Sequence, residues 1–226
     1  MPDRRVFETR EALDQDLANA IVTQLESGIE TRGTATLVVS GGSTPKGLFK
    51  TLSSTPIDWA KVTVLLADER WVAEDHEDSN TSLVKSLLLR NNAQAANWID
   101  FGAGSVDPET ELARINQQLG NTGPFDVVIL GMGGDSHTAS LFPCSAEISE
   151  GLTTPHSALM TQPTTAPHRR LSLSKTRLLN THMGVIHIVG DSKLDVYETA
   201  TVAPDDDAHP VSHFAHASHF SLWFAP

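Results

Sequence analysis

Short, mostly apolar runs recur along this chain, and helical patterns fill the intervals between them; that alternation limits the fold more than any other feature. Ala35–Val39, Val62–Leu66, Phe125–Leu130 and residues 184–189 and 220–224 lack the strict apolar/polar alternation of a half-exposed strand. The first four read as buried strands and residues 220–224 as a last strand. Between them lie amphipathic helices. Thr9 caps one with Leu13, Leu17, Ile21 and Leu25 inward, closed by Gly28 or Gly33. Asp78-Ser79-Asn80 opens another, carrying Leu83, Leu87 and Leu88, and Asp107-Pro108-Glu109 a third, carrying Leu112, Ile115 and Leu119. Strand–helix alternation predicts an α/β fold: a mainly parallel, Rossmann-like sheet with helices on both faces. With no internal repeat and no linker composition, one domain over residues 1–226 is expected.

Charge narrows the partners. The net charge is −12, from 16 basic and 28 acidic side chains, which argues against nucleic-acid binding. An anionic ligand would need a local cluster of Arg, Lys and backbone N–H to overcome that field. The single Cys144 excludes an internal disulfide and fits a reducing interior. No apolar run has membrane-span length, and Met1-Pro2-Asp3-Arg4-Arg5 leads into no signal core. The expectation is a cytoplasmic protein with no membrane partner, monomeric or homodimeric.

The chemistry-bearing residues cluster where strands end. Ser40-Gly41-Gly42-Ser43-Thr44-Pro45 joins a buried strand to a short helix, a geometry that presents backbone N–H groups to a phosphate. It is no Walker A loop, because Leu48-Phe49 stands where Lys-Ser/Thr is required. After Phe125–Leu130 comes Gly131-Met132-Gly133-Gly134-Asp135-Ser136-His137-Thr138-Ala139-Ser140-Leu141-Phe142-Pro143, where a second helix start is expected. Ser136 at the third glycine position rules out a dinucleotide fingerprint. Asp135 and His137 pair a carboxylate with a proton-transfer group. Asp68-Glu69-Arg70-Trp71 reads as a solvated loop or a binding edge, not as core. Lys193, in the first turn after Gly190-Asp191-Ser192, opposes the helix dipole unless an anion lies nearby. Residues 153–168 read as a mobile loop, and residues 169–174 as a half-exposed strand.

Two other chemistries are weaker. His209, His213 and His216 have helical metal-site spacing, with His219 beyond, but Pro210 interrupts them and no carboxylate is evident alongside. Gly134-Asp135-Ser136-His137-Thr138 resembles a nucleophile elbow whose fifth residue is not glycine, and His137 is ill placed to serve its own neighbour.

Four blocks in order, namely residues 40–45, Asp68-Glu69-Arg70 with Asp78-Ser79-Asn80, residues 131–143, and Arg170 with residues 190–193, resemble the 6-phosphogluconolactonases of the α/β type. His137-Thr138-Ala139-Ser140-Leu141-Phe142-Pro143 is the specific part. The related glucosamine-6-phosphate deaminases share the fold and the Asp-x-His core but continue differently. Gly134 and Ser136 depart from the family's Gly-Glu-Asp-Gly-His; a positive φ at Ser136 would cost roughly 1–2 kcal/mol.

The resemblance implies hydrolysis of 6-phospho-D-glucono-1,5-lactone to 6-phosphogluconate, a step of the pentose phosphate pathway. It implies His137 as the base, Asp135 orienting it, and Arg70 on the substrate hydroxyls or oxyanion. Gly41, Gly42, Ser43, Thr44, Arg170 and Lys193 would hold the phosphate. A δ-lactone carbonyl is already activated, so neither metal nor cofactor is expected. The alternatives are an amino-sugar-phosphate deaminase or isomerase on the same scaffold, and a non-catalytic sugar-phosphate sensor; the acidic charge and the lack of spare chain for a DNA-binding segment speak against the latter.

Overall fold

The computed structural model describes residues 3–104, 107–202 and 205–226. In chain order, β1 (Asp3–Val6) leads into α1 (Arg10–Arg32), β2 (Ala35–Val39), α2 (Lys46–Ser54), β3 (Val62–Leu66) and β4 (Asp68–Arg70). Next come α3 (Asn80–Leu87), β5 (Asn97–Ile99), α4 (Pro108–Gly120) and β6 (Phe125–Leu130). The last part holds α5 (Ile148–Thr153), β7 (Ala158–Thr161), β8 (Arg170–Leu173), α6 (Lys175–Leu179) and β9 (Thr181–Val189), then α7 (Asp191–Val202), α8 (Ser212–Ala215) and β10 (Phe220–Ala225).

Seven strands form one parallel sheet in the order β1-β10-β9-β6-β2-β3-β5. Every residue of β6 is buried, so the sheet is covered on both faces at its centre. The helix α1 follows its pattern closely. Thr9 Oγ1 accepts from Ala12 N–H, Leu13, Leu17, Ile21 and Leu25 are fully buried, and Gly33 closes it at φ +82°. No helix among the described residues is long and apolar enough to cross a membrane.

The strand order fixes where a ligand can sit. From β2 the chain works outward through β3 to β5, then returns to β6 on the other side of β2 and continues to β9 and β10. The reversal lies between β2 and β6, and an open α/β sheet forms its binding crevice beyond the C-terminal ends of such strands. The segments that follow β2 and β6 are residues 40–45 and 131–143.

Three expectations are corrected. No helix follows β6; Thr138 bridges Leu141 and Leu141 N–H donates to Thr138 C=O, with Ser136 and Ala139 at φ +65° and +48°. Left-handed residues break helical continuity, so the segment runs as turns until α5. Residues 153–168 are not a loose loop, for β7 lies within them and is buried throughout. Nor is residues 169–174 a half-exposed strand. β8 is the buried centre of a second, antiparallel sheet, β4-β8-β7, and Ser172 is satisfied inside by donating to Leu173 C=O and accepting from Ser140 N–H.

Candidate active site

A cleft of about 220 Å³ opens where β2 and β6 end, the size of one small polar ligand. Its walls include Gly41, Gly42, Ser43, Thr44, Arg70, His137, Arg170 and Lys193, gathered from segments more than a hundred residues apart. Asp135, expected beside them, supports from behind and is not part of the wall.

His137 is fixed by three neighbours. Its Nδ1 lies 2.5 Å from Asp135 Oδ1, which also accepts from the His137 backbone N–H at 3.2 Å. Its ring stacks on Phe142 with centroids 3.8 Å apart. A Cβ on Gly133 would fall 2.1 Å from the imidazole, so only glycine permits this approach. Burial pushes the Asp135 carboxyl up, but the hydrogen bonds and charge of His137 outweigh it and leave Asp135 below the usual carboxylate value. An ionised Asp135 needs a proton on Nδ1, which leaves Nε2 as the basic nitrogen.

The loop after β2 is held by contacts from β6, α3 and α1. Ser40 Oγ donates to Ile129 C=O, tying the β2 end to β6. Gly41 abuts Asn80, where a Cβ would lie 1.8 Å from Oδ1. Arg10, which the sequence did not single out, donates through Nη2 to the carbonyls of Ser43 and Thr44 at 2.9 and 2.6 Å. Engaging those carbonyls ties the loop to the start of α1.

The second sheet supplies the opposing cations. Arg70 and Arg170 are direct cross-strand partners in the β4–β8 ladder, a like-charge pairing that is unfavourable without an anion. Arg70 Nη1 donates to Asp78 C=O at 2.6 Å. Arg170 lies 3.9 Å from Asp68 and 5.0 Å over the Phe142 ring. Burial pulls the Arg170 guanidinium down; Asp68 opposes the shift and Arg70 adds to it. Lys193 reaches in from α7, donating to Met132 C=O at 2.8 Å. Three cations therefore face one cleft of an acidic protein.

Asp68 and Glu69 correct the sequence reading, because both are buried. Asp68 accepts from Ser140 Oγ, and Glu69 accepts from the N–H groups of Asn80 and Thr81 at the start of α3. Burial raises the Glu69 carboxyl, against those donors. These two carboxylates fasten the rim. Asp68, Asn80, Met132 and Ala139 also line the cleft, although the sequence assigned none of them a role there; Asn80 stands in the sequence as part of a helix cap and of the second family block.

The weaker chemistries look different in three dimensions. Ser136 is 2% exposed and its hydroxyl donates to Ala208 C=O, so it is no free nucleophile. The C-terminal histidines do have carboxylates, contrary to expectation: Asp206 meets His209 at 3.1 Å and Asp205 meets His216 at 2.6 Å.

The model of the glucosamine-6-phosphate isomerase/6-phosphogluconolactonase family matches residues 8–223. The chain belongs to this family. A 6-phosphogluconolactonase of Rhizobium meliloti is 37% identical over 226 residues, covering 98% of this chain and 97% of its own. That of Pseudomonas aeruginosa is 39% identical over 214 residues, 92% of this chain and 89% of its own. The crystal structure of a 6-phosphogluconolactonase from Shewanella baltica superposes with a TM-score of 0.95 at 42% identity, covering 100% of this chain and 98% of the other. A monomeric glucosamine-6-phosphate deaminase shares the fold, at TM-score 0.81 and 16% identity over 99% of this chain and 97% of its own. The matched residues 8–223 include every segment that lines the cleft.

Proposed function

We propose that this chain hydrolyses 6-phospho-D-glucono-1,5-lactone to 6-phospho-D-gluconate, within a single α/β domain. The observation that carries this reading is the Asp135–His137 pair set against a cleft lined by Arg70, Arg170 and Lys193. The identity to lactonases, well above that to the deaminase, supports the same choice.

The 6-phosphate is anchored by the N–H groups of Gly41, Gly42, Ser43 and Thr44, together with Arg170 and Lys193. Charge-assisted contacts distant from C1 position the lactone without reacting. His137 Nε2 takes a proton from water as its oxygen bonds to C1. Asp135 stabilises the resulting imidazolium through Nδ1–H. Arg70 lies across from Arg170 to meet the developing oxyanion or the sugar hydroxyls. As the C1–ring-oxygen bond breaks, His137 returns its proton to the departing oxygen, giving the open-chain acid.

The lactone also opens spontaneously, so the test is acceleration above buffer. Freshly prepared lactone should vanish faster in proportion to added protein, with no ammonia released from glucosamine 6-phosphate. Equal rates with and without protein sink the proposal, and ammonia release replaces it with the deaminase.

A further inference from the structure

Outside the cleft, among the described residues, His76, Asp78 and His168 bring three potential metal-ligand atoms within 4.8 Å of one another. The Asp78 carboxylate lies between two imidazoles. Its Oδ2 is 3.0 Å from His168 Nε2 and 3.9 Å from His76 Nδ1. The two rings stand edge-on, 5.2 Å between centroids at 80°. A tetrahedral zinc ion with bonds of about 2.0–2.2 Å keeps such donors roughly 3.3–3.5 Å apart, a spacing the two measured separations straddle. Two imidazoles and one carboxylate are ligands for a borderline divalent ion, leaving a fourth position to water.

The surroundings favour a cation. Glu74-Asp75-His76-Glu77-Asp78 carries four carboxylates in five residues. The opposing charges are Lys85, which pairs with Glu74 at 2.7 Å, and Arg70, whose guanidinium donates to the Asp78 main-chain carbonyl. His76 Nδ1 accepts from Asp78 N–H at 3.0 Å, an exposed bond that an ion would replace. His168 sits at φ +69°, so its ring is presented by a backbone conformation that few non-glycine residues adopt.

We propose that His76, Asp78 and His168 bind a divalent transition ion of the zinc type, which fastens together the two segments that aim the cleft arginines. The Asp78 carbonyl holds Arg70, and His168 stands two residues before Arg170, whose Nη2 donates to Pro167 C=O. An ion spanning the two segments pins both guanidinium groups from outside the reaction. No step of hydrolysis passes through it, and its binding is independent of the activity proposed above.

The test is calorimetric titration of Zn2+ into EDTA-treated protein, with Co2+ as a visible-absorption probe. His168→Asn suits the left-handed backbone and His76→Gln changes an exposed residue, so both variants should fold; circular dichroism checks this. His137→Gln and His216→Gln control for the other histidine–carboxylate pairs. The expected result is one saturable site per chain, weakened at least about tenfold in the two site variants and retained in both controls. Co2+ should give the intense bands of four-coordination. The absence of saturable binding, affinity unchanged in both site variants, or loss of the site in either control overturns the proposal.

Discussion

His137 owes its orientation to contacts made before any ligand arrives: a carboxylate on Nδ1, a phenyl ring beneath it, and a glycine where a side chain would collide. His137→Ala should lower kcat roughly 10²–10⁴-fold in the lactone assay while product binding, measured by calorimetry, stays near the parent value. An unchanged kcat removes the imidazole from the mechanism. Gly133→Ala tests the positioning of the Asp135–His137 pair, with product binding as the control because Gly133 also lines the cleft. Its new methyl displaces the ring, so kcat should fall while the thermal midpoint moves little; full activity would show that the ring has room to spare. Ser136 is the residue where the anticipated strain is realised, at φ +65°. Ser136→Gly relieves roughly 1–2 kcal/mol of left-handed strain. It also adds unfolded-state freedom of about 0.5–1 kcal/mol and removes one hydroxyl bond worth about 0.5–1.5 kcal/mol. These nearly offset, so urea unfolding should place the variant within about 1 kcal/mol of the parent. A gain of several kcal/mol would mean the strain is far larger than one residue's φ implies.

At the level of elements, the small antiparallel sheet turns an all-parallel scaffold into a site. Pairing β4 with β8 sets Arg70 opposite Arg170, and sheet register, not sequence proximity, makes them neighbours across a hundred residues. The sequence shows β8 as a strand but a half-exposed one, because Arg170-Leu171-Ser172-Leu173 alternates polar and apolar residues. Its polar members are buried only because Ser140 and Asp68 arrive from other elements to pair with them. The first residue of α1 has a comparable history. A cation at a helix N-terminus opposes the dipole; Arg10 is retained there by Asp14 at 3.8 Å and by the two loop carbonyls. Arg10→Ala should raise KM and weaken product binding by roughly tenfold or more, with kcat little changed, since charged hydrogen bonds are worth about 1.5–3 kcal/mol. A fall in kcat at constant KM would contradict a role in holding the loop.

For the whole molecule, acid stability is the observable. His187 is buried in the central sheet, with no hydrogen-bond partner for either ring nitrogen among the described residues, and burial pulls its pKa down to about 3. The unfolded chain protonates this imidazole near its ordinary value while the folded chain resists, so the unfolded state binds more protons between the two values. Stability from His187 is therefore present at neutral pH and lost as pH falls through that window, at up to about 1.4 kcal/mol per pH unit. Asp14, 3.8 Å away and raised by burial, works in the opposite direction. Urea midpoints at several pH values should show a shallower acid loss in His187→Met than in the parent; parallel curves would refute the assignment. The sequence alone determined the α/β architecture, the β2, β3, β6, β9 and β10 strands and the glycine-rich edges, because apolar period and cap chemistry are local properties. It also held the identities of His137, Asp135 and the cleft cations, since those residues keep their chemistry wherever the chain places them. Tertiary structure alone decided that β7 and β8 are buried, that Glu69 caps α3, that Arg10 grips the loop and that Arg70 faces Arg170. Each of these depends on a partner distant in sequence, and burial and charge are set by the partner.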